Sequence, residues 1–211
     1  MPEIAHDVYK NALRKECAIG DYINVLENSV RVTEEVRLYM ITVIIEVHRI
    51  KNYKEETLYL AASLADRYLA LLTILQKPSP CLIRLAFVCI LMAAKLEEPI
   101  QPSFNRMVRL VKSEWNFETT KEEIVEMESQ VIKLLDFDLQ AVGPIFFLER
   151  YQRIMGVESE KSDQDSARVG CLARKIIRCL LLSSNYLRFK PSQVASAALM
   201  LSININSSPC A

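Results

Sequence analysis

The stretch "CLIRLAFVCILMAAKLEEP" (residues 81–99) decides the fold. From Leu85 to Ala94 it carries no charge and nothing more polar than the Cys89 thiol. Its Leu, Ala and Met content favours a helix, and a helix apolar on every side belongs in the middle of a bundle. Lys95, Glu97 and Glu98 restore polarity at its end, and Pro99 and Pro102 stop it. The rest of the chain must therefore supply helices that surround this one.

Upstream, Thr33 caps a helix that runs to about residue 50, with Glu34 and Glu35 suited to its positive end. Val36, Met40, Val43, Ile44 and Val47 follow the helical period, and Ile41 and Ile45 widen the stripe. A second helix over about 55–72 turns Leu58, Ala61, Ala62, Ala65 and Leu69 inward. "QKPSP" then turns the chain, and Pro80 suits the first turn of the central helix. Downstream, a short helix falls at about 103–111. Thr120 and Glu123 form a capping box that opens a helix to about 135. These five helices make one lobe. Ahead of them, residues 3–17 read as an amphipathic helix with Ile4, Val8 and Leu13 along one face.

Gly143-Pro144 marks a new start. Helices are predicted at about 144–155, 165–184 and 191–205, separated by "ESEKSDQDS" and "RFKPS". The phrase Lys77-Pro78-Ser79 returns as Lys190-Pro191-Ser192, each time after an apolar helix and before an Ala-rich one. Repeated units imply repeated packing. The later helices thus take the places of the second and third helices of another lobe, which is incomplete, leaving Ala198, Leu199 and Leu201 partly uncovered. The expected organisation is a helix and linker at 1–29, a first lobe at 30–140 and a partial second lobe at 141–211.

Composition agrees with an all-α fold. Hydrophobic residues are 51% of the 211, glycine occurs four times, and no Asn-Gly or Asp-Gly hairpin joins alternating runs. Net charge is zero, which disfavours nucleic acid as a partner, and Arg84, Arg106, Arg109 and Lys112 read as a solvated basic surface. Cys17, Cys81, Cys89, Cys171, Cys179 and Cys210 form no CxxC, and most lie in apolar runs. They read as small buried hydrophobes in a reducing compartment. His6 and His48 are too few and too far apart for a histidine metal site, and no cofactor is expected. The N-terminus has no apolar signal core, and no uninterrupted apolar run reaches membrane-spanning length. An intracellular protein of nucleus or cytoplasm is expected, with no membrane partner. No nucleophile–base set, metal cluster or phosphate loop points to an enzyme.

Several ordered motifs resemble the cyclins. "VRLYMITVIIEVHRIKNYKEETLYLAASLADRYLA" (36–70) is similar to the A- and B-type signature M-R-x-I-L-x-D-W-L-x-E-V followed by E-T-L-x-L-A-x-x-x-x-D-R-F-L. "LMAAKLEEP" (91–99) resembles L-x-A-x-K-x-E-E, and "MESQVIKLLDFDL" (127–139) resembles M-E-x-x-[VIL]-L-x-x-L-x-F-D-L. The resemblance implies the cyclin fold, with two five-helix lobes in tandem. It also implies a regulatory subunit, without catalysis of its own, that binds and activates a cyclin-dependent serine/threonine kinase in the cell cycle.

By the same resemblance, Arg37 and Asp66 form a structural pair between the first two core helices. A charge such as Asp66 within an apolar helix needs a partner in any case. Lys95 and Glu128 match positions that reach backbone groups of the kinase beside its regulatory helix; the competing reading is an internal salt bridge. Leu96, Ile132, Leu134, Phe137 and Leu139 match the apolar kinase-facing surface, with Phe137 as its aromatic anchor. Val36, Tyr39, Met40, Val43, Glu46 and Ile83 match the patch that docks kinase substrates. Val43 stands where Trp is expected, Ile83 where Gln is, and Thr42 where Asp is usual. An Arg-x-Leu ligand therefore loses an aromatic floor and a hydrogen-bond partner. The alternative function is a cyclin-fold adaptor or transcription-related scaffold that acts without a kinase.

Overall fold

A computed structural model of the chain describes residues 6–16, 32–155 and 164–207. Among these residues every regular element is helical. They are α1 (6–16), α2 (Glu34–Lys51), α3 (Glu55–Ile74), α4 (Leu82–Glu97), α5 (Phe104–Trp115), α6 (Lys121–Leu134), α7 (Pro144–Ile154), α8 (Gln164–Leu181), a 3-10 turn (Ser184–Arg188) and α9 (Pro191–Ser207). The chain divides into two compact units. One is Asp21–Ala141, and the other joins Met1–Gly20 to Val142–Ala211.

In the first unit α4 is the central helix. It packs against α2, α3 and α6, and every residue from Leu85 to Ala94 is buried. Each large side chain so buried stabilises the fold by about 1.5–3 kcal/mol relative to exposure. Around it, α2 buries Met40, Ile41, Val43, Ile44 and Val47 and leaves Leu38 and Tyr39 exposed. Thr33 Oγ1 accepts the Val36 amide at the start of α2, and Asn52 ends the helix in the left-handed region at φ 50°. By length and composition α3 is apolar enough to cross a membrane, but 78% of that window is buried inside the protein.

Two boundaries differ from expectation. The central helix begins at Leu82 with Cys81 as its N-cap, so Pro80 precedes the helix rather than opening it. The fourth helix of the lobe, expected to stop near 111, continues to Trp115. Trp115 lies edge-on to Phe87 of α4, with ring centroids 5.2 Å apart. Polar Lys112, Ser113 and Glu114 hide this last turn from a periodicity argument, and Asn116 at φ 47° closes it. The capping box that opens α6 is present: Thr120 Oγ1 accepts the Glu123 amide, and the Glu123 carboxylate accepts the Thr120 amide.

In the second unit α7 and α8 both pack on α9, as α2 and α3 do on α4. The repeat is one of packing, not of register, because Pro191 is the first residue of α9 whereas Pro78 lies ahead of α4. Ala198 and Leu199 are buried, contrary to expectation, while Leu201, Met200 and Ile205 are exposed. Helix α1 belongs to this unit. Its buried Glu16 accepts the Ser192 amide at 2.8 Å and the Ser192 hydroxyl at 2.9 Å, at the start of α9. Tyr9 meets Phe147 edge-on, and Arg150 lies over the Tyr9 ring. The inner face of α1 is therefore Ala12 and Glu16, not Val8, which is 48% exposed; Ile4 lies outside the described residues.

The cysteine reading holds for one residue. Cys89 is buried, and burial first, then the charge of Asp66, pushes its thiol far up. Cys81, Cys171 and Cys179 are exposed: Cys81 lies ahead of α4, and the other two fall on the outer side of α8. Cys17 and Cys210 lie outside the described residues.

Candidate functional site

The site is built from two adjacent charges in the middle of α3. Asp66 and Arg67 follow one another, and consecutive helical residues point about 100° apart. Asp66 therefore faces α2. There the Arg37 guanidinium grips its carboxylate with two prongs, Nε to Oδ1 and Nη2 to Oδ2, each 3.0 Å long. Both side chains are buried, so the pair is a charge-assisted clamp between α2 and α3. Arg67, also buried, turns to the segment after α6. It donates to the Asp138 carbonyl at 2.6 Å, to the Asp138 carboxylate at 3.0 Å and to the Gln140 carbonyl at 3.4 Å.

That segment departs from helical geometry. Asp136 and Phe137 both have positive φ, 51° and 60°, a conformation that costs a residue with a side chain about 1–2 kcal/mol. The turn throws the Phe137 ring outward, where it is 73% exposed. Leu139, next in line, is half-buried. Sequence reasoning passed over Arg67. The Asp-Arg dipeptide was the available signal, since a buried Arg needs acceptors as surely as a buried Asp needs donors.

The second feature is an ion pair between α4 and α6. Lys95, at the polar end of α4, places Nζ 2.5 Å from Glu128 Oε1. Of the two side chains Lys95 is the more open, at 40% against 18% for Glu128. Leu96 beside Lys95 is 52% exposed, and Ile132, one turn beyond Glu128, is half-buried. Exposed apolar side chains around a polar pair are the composition of protein-binding surfaces.

Not every residue expected on this face can lie there. Ile132 and Leu134 are two positions apart on α6, hence rotated by about 200°. Leu134 instead lines a hollow on the other flank of the helix, together with Met127, Lys77 and Tyr68. The six positions matched to substrate docking also separate. Met40 and Val43 are 0% and 2% exposed and form core, because α2 is buried along that stripe. Both belong to the interior and not to a docking surface. Tyr39 is exposed, Val36 and Ile83 are half-buried, and Glu46 is paired with Arg49 at 2.9 Å. The basic cluster is likewise partly neutralised: Arg84 bonds Glu123 at 2.6 Å, and Lys112 bonds Glu118 at 2.9 Å.

Glu98 has a role that no sequence signal announced. The N-cap residue of α3, Lys54, makes no side-chain cap. Glu98, just past the end of α4, accepts the Lys54 amide at 2.8 Å and the Thr57 hydroxyl at 2.6 Å. One carboxylate thus caps α3 and ties α4 to it. Burial, and then this same carboxylate, raise the Tyr53 phenol above its ordinary value. Among the described residues no group of His, Cys, Asp and Glu is arranged to hold a metal ion.

A helical lobe wound about one apolar helix, followed by a second unit that repeats its packing, defines the class. The chain belongs to the cyclin family. "Cyclin, N-terminal domain" matches residues 7–140, and "Cyclin, C-terminal domain" matches residues 142–211. Among curated relatives, a G2/mitotic-specific cyclin-B2 of Oryzias latipes is 30% identical over 171 residues, which is 81% of this chain and 40% of the relative. A G2/mitotic-specific cyclin-B of Marthasterias glacialis is 30% identical over 207 residues, 96% of this chain and 48% of the relative. The chain thus spans less than half the length of either. Among solved structures, a viral cyclin from herpesvirus saimiri superposes with a TM-score of 0.77 at 18% identity, over 96% of this chain and 84% of that one. The fold is the cyclin fold.

Proposed function

We propose that this chain is a regulatory subunit that binds and activates a cyclin-dependent serine/threonine kinase and carries no catalysis itself. The observation that supports this best is the Lys95–Glu128 pair between α4 and α6, with exposed Leu96 next to Lys95, half-buried Ile132 one turn from Glu128, and Phe137 exposed and Leu139 half-buried in the segment after α6. The pair gives a partner both a cationic donor and an anionic acceptor. The apolar side chains give it area, with Phe137 held outward by the turn that Arg67 pins. Activation then follows from selective binding. Kinase activity requires a Lys–Glu pair between a strand and the regulatory helix. A cyclin that binds only the conformation with that pair formed shifts the population toward it, by as much as its affinity for the two states differs.

Such a subunit works in the nucleus or cytoplasm. The test is co-purification of the chain with candidate cyclin-dependent kinases, followed by phosphorylation of a histone substrate. Saturable activation by the wild-type chain supports the reading. Binding to none of the kinases, with the helical fold intact by circular dichroism, removes it in favour of a cyclin-fold adaptor.

A further inference from the structure

We propose that Ser79, in the loop joining α3 to α4, is a phosphorylation site for a proline-directed serine/threonine kinase, with ATP as the phosphoryl donor. The tripeptide Lys-Pro-Ser occurs twice in the chain, and the structure gives its two serines opposite surroundings. Ser192 is half-buried in the first turn of α9, and buried Glu16 accepts both its amide, at 2.8 Å, and its hydroxyl, at 2.9 Å. A phosphate on that hydroxyl would displace two hydrogen bonds and meet a carboxylate of like charge. Ser79 is exposed. Among the described residues neither its amide nor its hydroxyl has a hydrogen-bond partner. A phosphate on Ser79 therefore adds about −1.5 to −2 charge at pH 7 and breaks no hydrogen bond among the described residues.

The backbone around Ser79 is also that of a substrate. Residues 77–81 belong to no regular element, and Cys81 is extended at φ −64° and ψ 113°. Pro78 and Pro80 disfavour helix at the residue before each of them, Lys77 and Ser79. The segment thus loses little freedom when it lies along a cleft. Pro80 selects the kinase class. It has no N–H, so it suits a cleft that offers no acceptor to the amide after the reacting serine, where any other residue would bury an unpaired donor. Ser79 is the only serine or threonine followed by proline among the described residues; Ser208-Pro209 lies outside them. In the step itself the kinase's catalytic aspartate takes the hydroxyl proton as Ser79 Oγ attacks the γ-phosphorus of ATP. An Oγ–P bond forms, the bond from that phosphorus to the β,γ-bridging oxygen breaks, and ADP leaves. Here the chain is a substrate, so the Lys95–Glu128 face is not involved.

The test incubates the full chain with ATP and a purified mitogen-activated protein kinase, which is proline-directed, and locates the phosphate by tandem mass spectrometry. Phosphate on Ser79 and none on Ser192 is expected. The folded chain should be phosphorylated at Ser79 no more than tenfold more slowly than a free peptide of Leu75–Arg84, because the loop already presents the serine. Pro80→Ala should slow the reaction at Ser79 at least tenfold. In a chain that carries Ser208→Ala, adding Ser79→Ala should lower the total phosphate incorporated at least tenfold. Circular dichroism of each variant checks that it is folded. Absence of phosphate from Ser79 of the folded chain overturns the proposal, whether or not the peptide reacts. So does a rate at Ser79 that Pro80→Ala leaves unchanged, or phosphate on Ser192 at the same rate as on Ser79.

Discussion

Lys95 Nζ and Glu128 Oε1 are 2.5 Å apart, so each of these two residues already has a charged partner within the chain. Both are only partly buried, and pairs of this kind contribute less than about 1 kcal/mol to folding. Reversal of one charge, Lys95→Glu or Glu128→Lys, should lower the melting temperature little and abolish kinase activation. The double reversal rebuilds the internal pair with its polarity inverted. It should recover the small stability loss and stay inactive, because each side chain now offers the kinase the wrong sign. Recovery of histone phosphorylation by the double variant would show that the pair serves only the fold.

The buried Arg37–Asp66 clamp behaves differently. Removal of one partner leaves the other charge in the core, at a cost of about 3–5 kcal/mol. Asp66→Ala should therefore shift the urea midpoint far more than Lys95→Glu does. Arg37→Met with Asp66→Leu should recover much of the loss, since no orphan charge remains. A double variant as unstable as the worse single one would mean that the clamp also sets the angle between α2 and α3.

Glu98 caps a helix from outside it, and its loss should be local. Glu98→Ala should cost about 0.5–2 kcal/mol, the range for a lost cap, and should speed amide exchange in the first turn of α3. Tyr53 provides a second readout. Burial first and Glu98 second raise its phenol pKa, so in the variant it should titrate lower than in wild type. A group whose folded pKa is raised contributes stability that is present below its unfolded value and is lost as pH rises through the folded one. The wild-type chain should thus lose this contribution above the ordinary tyrosine value of 10.0, and the variant should lose less. NMR of ring-labelled tyrosine reads both.

Glu123 predicts an effect at the acid end. The Thr120 amide first, and then Arg84 and Thr119, hold its carboxyl below the ordinary 4.5, against an opposing effect of burial. A depressed folded pKa contributes stability above the unfolded value and loses it as pH falls through the folded one. Below about pH 4.5 the amides of the first turn of α6 should therefore lose protection relative to their intrinsic exchange rates, and Glu123→Gln should flatten that dependence. Hydrogen exchange measured from pH 6 to pH 3, roughly the span that brackets a carboxyl titration, checks it.

Phe137 is 73% exposed, so Phe137→Ala removes little that the folded chain buries. Stability should change by less than about 0.5 kcal/mol, as for ordinary surface substitutions. Affinity for the kinase should fall at least tenfold, the loss of about 1.4 kcal/mol or more typical of an aromatic anchor. Calorimetry with the purified kinase measures the second quantity and thermal melting the first. Unchanged affinity would move the anchor elsewhere.

The sequence by itself determined the helices and their centre. Ten successive apolar residues from Leu85 to Ala94 can be satisfied only inside a bundle, and Thr33, Thr120 and Glu123 mark helix starts by chemistry local to a few residues. That Asp66 needs a partner was legible for a related reason, since a charge in an apolar helix demands an opposite one; that the partner is Arg37 came from the resemblance to the cyclins. Tertiary structure decided what depends on residues far apart in the chain. Only the folded lobe brings Glu98 to the start of α3 and Arg67 to Asp138. Only the packing of Trp115 on Phe87 extends α5 past its polar turn. The same holds for which side of a helix stays open. Met40 and Val43 look like Tyr39 in a list of apolar residues, yet α2 turns them inward. Ile132 and Leu134 sit in one motif, yet a rotation of about 200° sends them to opposite flanks of α6. Hydrophobic pattern specifies burial on average, whereas the surface left for a partner is set by where neighbouring helices stop.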